Sequence, residues 1–285
     1  MDLSIIIVSW NVKNLLRKCL ESIYRETKNL KFEVFVVDNY SQDKTVEMIK
    51  TDFPRVNLIA NQENAGFAQA NNQAIHQAKG DFILLLNPDT EILENALEKM
   101  VDFMKSHSDA GVAGCQFLNS DKSLQPSVRR FPTFSSMSLI MLKLHRLFPK
   151  SNPIKYYLAN DFNYSKTQEV DQVMGAFFMI KYEVIKKVGL LDKNFYIWFE
   201  EVDYCQRAKK NGWKIYYTPE AKIIHRFAQS FQQVTGLRKQ LIFNHSLIYY
   251  FKKHKPFIEY LCLLFLHPLS LFLALIRQFF RSKKT

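Results

Sequence analysis

One short acidic cluster supplies the first candidates for catalysis. Glu200, Glu201 and Asp203 lie within four residues of one another, beside aromatic residues. Like charges and apolar neighbours raise the pKa of a carboxyl group, which suits a group that must take up a proton during a reaction. For Asp203 there is also a structural explanation, because Arg207 follows four residues later and could pair with it on a helix.

Polar residues also follow three short apolar runs. Ser9 and Asn11 follow the first run, Asp38 ends the second, and Asn87 and Asp89 follow the third. Such runs predict buried parallel strands, and open α/β sheets bind ligands beyond the carboxyl ends of their strands. Asp38 could there accept a hydrogen bond from a pyrimidine imide or from ribose hydroxyls. Asp89 could reach a divalent cation whose other ligands come from a diphosphate. Each aspartate could instead cap the helix that follows it.

Three further residues are weaker candidates when taken singly. Gly66 precedes a predicted helix that carries Asn71, where glycine allows close backbone approach and the helix N-terminus favours phosphate. His225 ends a short apolar run, and a lone histidine is more often structural than a ligand. The chain has neither a G-x-G-x-x-G fingerprint nor a G-x-x-x-x-G-K-[ST] loop, so NAD-dependent chemistry and P-loop phosphoryl transfer are not expected.

The elements that must position these residues alternate between strand and helix over the first 120 residues. The predicted strands are Leu3–Ser9, Phe32–Asp38, Val56–Ala60 and Phe82–Leu86. The predicted helices are Val12–Arg25, one capped by Ser41, and Ala65–Lys79. This alternation predicts a mostly parallel α/β sheet with helices on both faces.

The second half of the chain is less regular. Between residues 120 and 165, Phe-Pro and Asn-Pro pairs predict a long excursion that is either partly mobile or covers an active site. Beyond it we expect a strand over Val173–Tyr182, a helix from about Glu200 to Asn211, and closing strands over Trp213–Tyr217 and Lys222–His225. The last stretch is hydrophobic and helical.

Composition and charge restrict the class of protein. The 285 residues are 47% apolar and 23% charged, as in a folded globular protein. The four cysteines are far apart and form no C-x-x-C pair, which argues against a structural zinc site and suits a reducing compartment. The N-terminus has no basic region before its apolar run, so we do not expect a secretory signal.

The net charge of +12 is concentrated near the C-terminus. The segment from Leu237 to Thr285 contains nine Lys and Arg residues and a single acid, Glu259. These cations flank the apolar stretch Pro256–Ile276, which has 21 residues and is close to the about 20 that span a bilayer. Because Glu259, His267 and Pro268 interrupt it, we expect an interfacial or re-entrant helical pair bent near His267-Pro268. A buried core helix is the alternative, and a membrane surface is favoured over nucleic acid as the partner.

The motifs taken in order resemble those of the family 2 glycosyltransferases, especially the bacterial rhamnosyltransferase-like members with the GT-A fold. The resemblance runs from Leu3 to about Ser230. It rests on Ile7-Val8-Ser9-Trp10-Asn11, Val36-Val37-Asp38-Asn39, Asn64-Ala65-Gly66-Phe67-Ala68, Leu86-Asn87-Pro88-Asp89, Gly175-Ala176-Phe177, Phe199-Glu200-Glu201-Val202-Asp203 and His225.

The resemblance implies a role for each matching position. Residues that would bind or line the site of the donor nucleotide sugar are Ser9, Asn11, Asp38, Gly66, Asn71, Asn87, Gly175 and Ala176. Asp89 matches the last acid of the family's D-x-D motif and would bind Mg²⁺ or Mn²⁺, with His225 as a further ligand. Glu201 stands where relatives have a catalytic Asp, and Glu200 and Asp203 complete the catalytic candidates.

Two departures from the family pattern bear on the reaction. Asn87 replaces the first acid of D-x-D and removes one charged metal ligand, and after His225 the chain reads Arg-Phe-Ala-Gln-Ser, mostly outside the described residues, where relatives often have a glycine-rich stretch. The Q-x-x-R-W signature of processive synthases is also missing. The missing signature favours a non-processive enzyme, and the resemblance implies an inverting glycosyltransferase that uses dTDP-rhamnose or a UDP-hexose. Its expected acceptor is a glycan or polyprenyl-linked molecule at the cytoplasmic face of the inner membrane.

The expected organisation has three parts. Residues 1–120 form the nucleotide-binding half and residues 121–236 the acceptor and catalytic half of a GT-A domain, and residues 237–285 form the membrane-associating tail. The alternatives are a sugar-1-phosphate nucleotidyltransferase, which would need a glycine-rich loop that Ser9–Lys13 lacks, and a catalytically degenerate nucleotide-sugar-binding membrane scaffold.

Overall fold

The computed structural model describes residues 1–226 and 233–282, with side chains up to residue 278. In its first half the strands are β1 Leu3–Ser9, β2 Phe32–Asp38, β3 Asn57–Ala60, β4 Phe82–Leu86, β5 Thr90–Ile92 and β6 Ala110–Leu118. The helices there are α1 Lys13–Glu26, α2 Thr45–Asp52, α3 Phe67–Ile75 and α4 Ala96–Ser106. The predicted alternation of strand and helix is confirmed.

The second half adds short strands and six helices among the described residues. The strands are β7 Leu124–Gln125, β8 Val128–Arg129, β9 Gln168–Val170, β10 Gln172–Val173, β11 Phe177–Lys181 and β12 Lys214–His225. The helices are α5 Phe134–Met141, α6 Asn152–Tyr157, α7 Tyr182–Val188, α8 Glu200–Lys210, α9 Gly236–His254 and α10 Phe257–Ser282. A 3₁₀ turn spans Leu144–Arg146.

The main sheet has the order β3-β2-β1-β4-β11-β6-β12-β5. The pairs among β1, β2, β3 and β4 are parallel, as is β6 with β12, whereas β11 runs antiparallel to both β4 and β6. One apolar cluster covers each face of the sheet, and a third joins α5, the segment before α8, α9 and α10. The predicted mostly parallel α/β fold is confirmed.

Two local predictions at strand ends are wrong. Ser41 does not cap α2; Lys44 is the N-cap in a left-handed conformation, and the Ser41 hydroxyl instead accepts a hydrogen bond from the backbone of Asn11 at 2.8 Å. After Asp89 no helix begins, because the chain first adds β5 to the edge of the sheet beside β12. Local sequence could not show this, because the partner strand lies over 100 residues away.

The segments around the predicted strand Val173–Tyr182 differ from expectation. The strand is interrupted between β10 and β11, and the break at Met174–Ala176 puts Gly175 and Ala176 into a connection. The two predicted closing strands are instead one continuous strand, β12, whose register against β6 shifts between Thr218 and Lys222. The irregularities thus occur beside the site described below.

The excursion between residues 120 and 165 begins with the short strands β7 and β8 and continues as a helical layer. It carries α5, the 3₁₀ turn and α6, and Met137 and Met141 of α5 pack into one cluster with Leu247 of α9 and Leu263 of α10. The division of the chain at residue 236 stays a prediction. In space, however, α9 is part of the layer that covers the region around α8.

The C-terminal helix α10 does not bend into a pair. It is one helix that continues through Pro268, and the helical pair is formed by α9 and α10, which meet at Lys255-Pro256. Within the described residues, Phe257–Gln278 is the single stretch long and apolar enough to cross a membrane, with a mean hydropathy of 1.9. Length and composition alone do not distinguish a span from a surface helix.

Candidate active site

A cavity of about 290 Å³ opens at the carboxyl ends of the parallel strands. Its lining includes Asn87 and Asp89 after β4, Gly175 before β11, Glu201 of α8, and His225 at the end of β12. These residues come from both halves of the chain. The sheet topology therefore brings together most of the motifs that the sequence singled out.

Asp89 and His225 lie next to each other in the lining of this cavity. His225 Nε2 lies 3.5 Å from Asp89 Oδ1, and both side chains are buried. The pairing of β12 with β5 sets this distance, because His225 is in register with Thr90, the residue that follows Asp89. A carboxylate and an imidazole nitrogen are thus held at one point, as in a site for a divalent cation.

The orientation of Gln125 fixes the tautomer of His225. The amide nitrogen of Gln125 donates to Asn119 Oδ1 at 2.8 Å and to the carbonyl of His225 at 3.0 Å. Its Oε1 therefore faces His225 Nδ1, at 2.7 Å, and must accept a proton from it. With Nδ1 hydrogen-bonded to Gln125, Nε2 is the ring nitrogen that faces Asp89, which is the arrangement of a metal-ligating histidine held by a hydrogen bond at its other nitrogen.

The donor set fits Mg²⁺ or Mn²⁺ only if a substrate completes it. Within the described ranges there is no group of three or more His, Cys, Asp or Glu side chains that could hold a metal ion. One carboxylate and one imidazole leave most positions of an octahedral ion for phosphate oxygens and water. Asn87 lines the cavity beside Asp89 and could add a neutral oxygen.

Glu200 and Glu201 begin α8 and both reach the cavity. The two residues before them, Trp198 and Phe199, have φ of +66° and +70°, which is strained for bulky side chains. The left-handed pair turns the chain sharply, so that both carboxyl groups enter the cavity from the first turn of the helix. Glu200 Oε2 and Glu201 Oε2 have no hydrogen-bond partner within the described residues.

The environments of the two carboxyl groups differ. Burial, and next the charge of Glu201, raise the pKa of Glu200 well above its ordinary value; its side chain is among the most buried of the acids. Burial also raises the pKa of Glu201, but hydrogen bonds from backbone N–H groups at the start of α8 oppose the shift. The sequence-based expectation that this cluster has raised pKa values is confirmed for both glutamates.

The backbone of Gly66 packs closely against Tyr196 of the protein, and not against a ligand as the sequence suggested. A β-carbon at this position would lie 2.6 Å from the carbonyl oxygen of Tyr196, and φ is +81°. That same carbonyl accepts the hydrogen bond of Phe67 N at 2.7 Å. The first free N–H of α3, which we expected to favour phosphate, is thus used to hold the loop that leads into α8.

Ser9 and Asp38 lie side by side beneath the cavity. They are register partners at the ends of β1 and β2, and both are buried. Asp38 Oδ2 accepts from Ser41 N at 2.9 Å, whereas Ser9 Oγ and Asp38 Oδ1 have no partner within the described part of the chain. Two unpartnered buried oxygens at one sheet edge are unusual and suit a ligand that supplies donors.

The other predicted donor residues divide into two groups. Asn87, Gly175 and Ala176 line the cavity, and the backbone N–H of Asn87 donates to Ala176 O at 3.0 Å. Asn11 and Asn71 are absent from the lining among the described residues. Asn11 binds Gln42 N and Gln233, and Asn71 donates back to Phe67 O within α3.

Asp203 lies outside the cavity lining, in a closed ion cluster. Its carboxylate receives Arg207 Nε at 2.8 Å and both Lys253 Nζ and His254 Nε2 at 2.7 Å. Arg207 also donates to the carbonyls of the segment that follows α7. The predicted i+4 pair is confirmed, and the geometry supports a structural role for Asp203, which joins α8 to the end of α9, instead of the catalytic one.

The pKa of Asp203 predicts how stability depends on pH. Burial alone would raise this pKa, but the hydrogen bond from His254 and the charges of Arg207 and Lys253 hold it at about 2. A lowered folded-state pKa stabilises the protein above the unfolded value of about 4, and this contribution disappears as the pH falls towards 2. We expect Asp203→Asn to lower the free energy of unfolding at pH 7 by about 2 kcal/mol, measured by urea denaturation.

The matched control is Asp52→Asn, which removes an exposed pair with Arg17. It should change the free energy of unfolding by about 0.5 kcal/mol or less. Equal effects of the two substitutions would contradict the structural role assigned to Asp203.

Several lining residues were missed by sequence reasoning. Asn39, to which the sequence analysis assigned no role, lines the cavity, and its amide nitrogen donates to Gly66 O at 3.2 Å. Arg238 and Ile242 enter from α9, within the segment interpreted as a tail. Of the described lining residues, Arg238 alone carries a permanent positive charge. Its i, i+4 spacing with Ile242 was visible in the sequence, but nothing local pointed to this cavity.

Comparison with known proteins gives a family match over most of the chain. A model of Glycosyl transferase family 2 matches residues 4–189. The chain is 25% identical over 242 residues to an N-acetylglucosaminyl-diphospho-decaprenol L-rhamnosyltransferase of Mycobacterium tuberculosis, covering 80% of this chain and 77% of that one. It is 24% identical over 238 residues to the dTDP-rhamnosyl transferase RfbF of Shigella flexneri, covering 81% and 71%.

Solved structures support the fold independently. The mannosyltransferase PcManGT from Pyrobaculum calidifontis, in complex with GDP-Man and Mn²⁺, aligns with a TM-score of 0.57 at 17% identity, over 96% of this chain and 73% of that one. GalNAc-T7 with UDP, GalNAc and Mn²⁺ aligns with a TM-score of 0.58 at 18% identity, and this chain spans 44% of its length. At such identities the likeness concerns the fold.

Proposed function

The chain belongs to glycosyl transferase family 2 and is a glycosyltransferase, and from this premise we propose that it transfers one sugar, with inversion, from a nucleoside diphosphate sugar to an acceptor hydroxyl. The observation that carries the proposal is the shared cavity. It holds the Asp89–His225 pair on one side and the Glu200–Glu201 pair on the other. The first pair suits a diphosphate with its cation, and the second suits removal of a proton from an acceptor.

The two glutamates divide the acid–base roles. When neighbouring carboxyl groups have pKa values pushed apart, the group with the higher pKa keeps its proton and the other stays ionised. Burial and the charge of Glu201 raise the pKa of Glu200 well above its ordinary value, whereas backbone hydrogen bonds oppose the rise for Glu201, so the proposed carrier of the pair's proton is Glu200. Glu201 is then the ionised base, and its raised pKa improves it as a proton acceptor from a sugar hydroxyl.

Asp89 and His225 would hold Mg²⁺ or Mn²⁺ together with the donor diphosphate. When bound, the ion supplies Lewis-acid stabilisation of the charge on the departing diphosphate. The protein's own part is to keep both ligands buried and aligned, through Gln125 for His225 and through the edge pairing of β5 with β12 for Asp89.

Arg238 would supply a positive charge from the protein itself to bind the donor diphosphate. The cavity contains three carboxyl groups, Asp89, Glu200 and Glu201, and a donor adds further negative charge. The leading N–H of α3 is already bonded to Tyr196 O, so charge must be balanced elsewhere. Burial raises the pKa of the Tyr196 hydroxyl and the charge of Arg238 opposes this shift, so the guanidinium lies near Tyr196, which packs against Gly66.

The donor proposed first is dTDP-rhamnose, followed by UDP-hexoses. Ser9 Oγ and Asp38 Oδ1 are unpartnered within the described chain and lie at the sheet edge where a pyrimidine would bind. An ionised Asp38 oxygen accepts from the imide N–H of thymine or uracil alike. A relative named as a dTDP-rhamnosyl transferase supports the ranking of thymidine over uridine.

The proposed acceptor is a glycan or a polyprenyl-linked molecule of cell-surface glycan synthesis. The M. tuberculosis relative is named for a diphospho-decaprenol acceptor. An acceptor of this class lies in a membrane, and α10 offers an apolar helix to reach it. The proposed location is therefore the cytoplasmic face of the inner membrane.

The experiment that tests this function is a thermal-shift screen of nucleoside diphosphates and their sugars, with and without Mn²⁺. We expect dTDP and UDP compounds to raise the melting temperature, because a ligand that binds only the folded state stabilises it. Stabilisation by GDP compounds alone would overturn the pyrimidine assignment. A chain that responds to no nucleotide, with or without Mn²⁺, would contradict the transferase site itself.

A further inference from the structure

Two basic segments without acidic residues lie far apart in the sequence. Residues 129–160 contain six Lys and Arg residues and no Asp or Glu. Residues 260–285 contain four Lys and Arg residues and again no acid. Neither segment alone indicates a binding surface, but the fold brings the two segments together.

The junction between them is a direct contact of α5 with α10. Ser270 Oγ donates to the carbonyl of Met141, the last residue of α5, at 2.9 Å. From there the chain runs through Lys143, whose pKa is lowered to about 8 by burial and by the nearby charges of Arg146 and Arg277. The basic residues after α5 and the basic C-terminal part of α10 therefore border one surface.

Large apolar side chains are exposed on both sides of this junction. Leu147 and Phe148, just after the 3₁₀ turn, are 72% and 58% exposed. On α10, Phe265 and Phe272 are 81% and 59% exposed. Exposed apolar residues on both sides of a basic junction, in segments that carry no acids, match the chemistry of an anionic lipid surface better than that of a nucleic acid or of a polar protein.

A buried polar cluster fixes how α10 can meet the lipid. Gln240 Nε2 of α9 donates to Asn244 Oδ1 at 2.7 Å and to Ser270 Oγ at 3.0 Å, and Asn244 Nδ2 contacts His267 Nδ1 at 3.2 Å. Gln240, Asn244 and Ser270 are fully buried between α9, α10 and α5. One face of α10 is therefore bonded to the protein along its middle, and leaving α9 to cross a bilayer would expose these polar groups to hydrocarbon.

We propose that α10 and the segment Leu144–Lys150 form one surface that lies on an anionic bilayer, with α10 along the membrane and not across it. The role of this surface rests on the proposed function, because it would bring the cavity close to a lipid-linked acceptor. The helix α9, to which α10 is hydrogen-bonded, supplies Arg238 and Ile242 to that cavity. A lipid-linked acceptor could then reach the base from the membrane plane.

The test is co-sedimentation of the full-length protein with vesicles of phosphatidylcholine and phosphatidylglycerol at low salt. We expect Arg146→Glu combined with Lys150→Glu to weaken binding at least about tenfold, since each cation near such a surface contributes about 1 kcal/mol. The matched control is Lys28→Glu with Lys50→Glu, two exposed lysines whose reversal changes the net charge equally. It should bind nearly as the unmodified chain does.

A second variant tests the apolar part of the surface. Leu147→Ser with Phe148→Ser should also weaken binding about tenfold, including at high salt, where the charge contribution is screened. Equal loss in the control pair, or no loss in either test variant, would overturn the composite surface. Resistance of the membrane-bound protein to alkaline carbonate extraction would overturn the placement of α10 along the bilayer.

Thermal shift with dTDP or UDP separates this proposal from the proposed function. The variants in Leu144–Lys150 should keep the nucleotide response of the unmodified chain, because these residues are exposed and outside the cavity lining. If the unmodified chain binds vesicles as expected but responds to no nucleotide, the proposed function fails while the membrane surface stands.

Discussion

Glu201→Gln is expected to lower turnover by about 10²-fold or more while leaving donor affinity nearly unchanged. The substitution keeps the shape of the side chain and removes the group that takes the acceptor's proton. Turnover and the KM for the donor, measured with the nucleotide sugar identified by the thermal-shift screen, report the two effects separately. The unmodified enzyme should also lose activity as the pH falls below the raised pKa of Glu201, because the base must be ionised, and this dependence should vanish in the variant.

Glu200→Gln is the matched control. If Glu200 carries the shared proton at neutral pH, an amide imitates its neutral form, so this variant should keep most of the activity. Glu201→Asp restores the residue usual in the family and keeps an ionisable carboxylate, so it should retain substantial activity although the carboxylate moves by roughly 1 Å. A dead Glu200→Gln enzyme together with a normal Glu201→Gln enzyme would mean that the base is Glu200.

Asp89→Asn is expected to remove the Mn²⁺-dependent part of nucleoside diphosphate binding, and with it about 10²-fold of turnover. Asn keeps the size of the side chain but replaces the charged oxygen that faces His225 Nε2 at 3.5 Å. Calorimetric titration of dTDP or UDP, once with Mn²⁺ and once with EDTA, measures the effect. Binding in EDTA should be nearly the same for the variant and the unmodified chain.

Arg238→Gln gives the contrasting pattern. Loss of its charge should weaken diphosphate binding about tenfold in EDTA as well as in Mn²⁺, because a charge-assisted hydrogen bond contributes roughly 1.5–3 kcal/mol. Binding of the nucleoside without phosphates should not change. Lys239→Gln, the adjacent position outside the cavity lining, is its control. If Asp89→Asn and Arg238→Gln respond identically to EDTA, the separation of roles made here is wrong.

The sequence by itself determined most of the sheet and singled out the residues that are proposed as reactive groups. Uninterrupted apolar runs such as Leu3–Ser9 and Phe82–Leu86 can be satisfied only by burial on both faces, so their bounds matched the structure. Asp89, His225, Glu200 and Glu201 were all selected because their residue types and order matched one chemistry. The fold places all four in one cavity.

The tertiary structure alone decided how those groups are held. That Gly66 accommodates the backbone of Tyr196, that Gln125 orients His225, and that Asp203 is bound to Lys253 and His254 of α9 are contacts between distant segments. No local pattern encodes the partner in such a contact. For the same reason, Ser41 and the residues after Asp89 were misassigned.

The C-terminal region shows most clearly which features the sequence determines and which depend on tertiary packing. Its basic and apolar composition was sufficient to predict a membrane-associated helix, because burial and charge preferences belong to single residues. The orientation of that helix depends on Gln240, Asn244 and Ser270, whose hydrogen bonds exist only after α5, α9 and α10 have come together. Polar groups buried between helices have geometric requirements that composition cannot express, so the sequence determined that α10 is apolar, and packing decided which of its faces is left exposed.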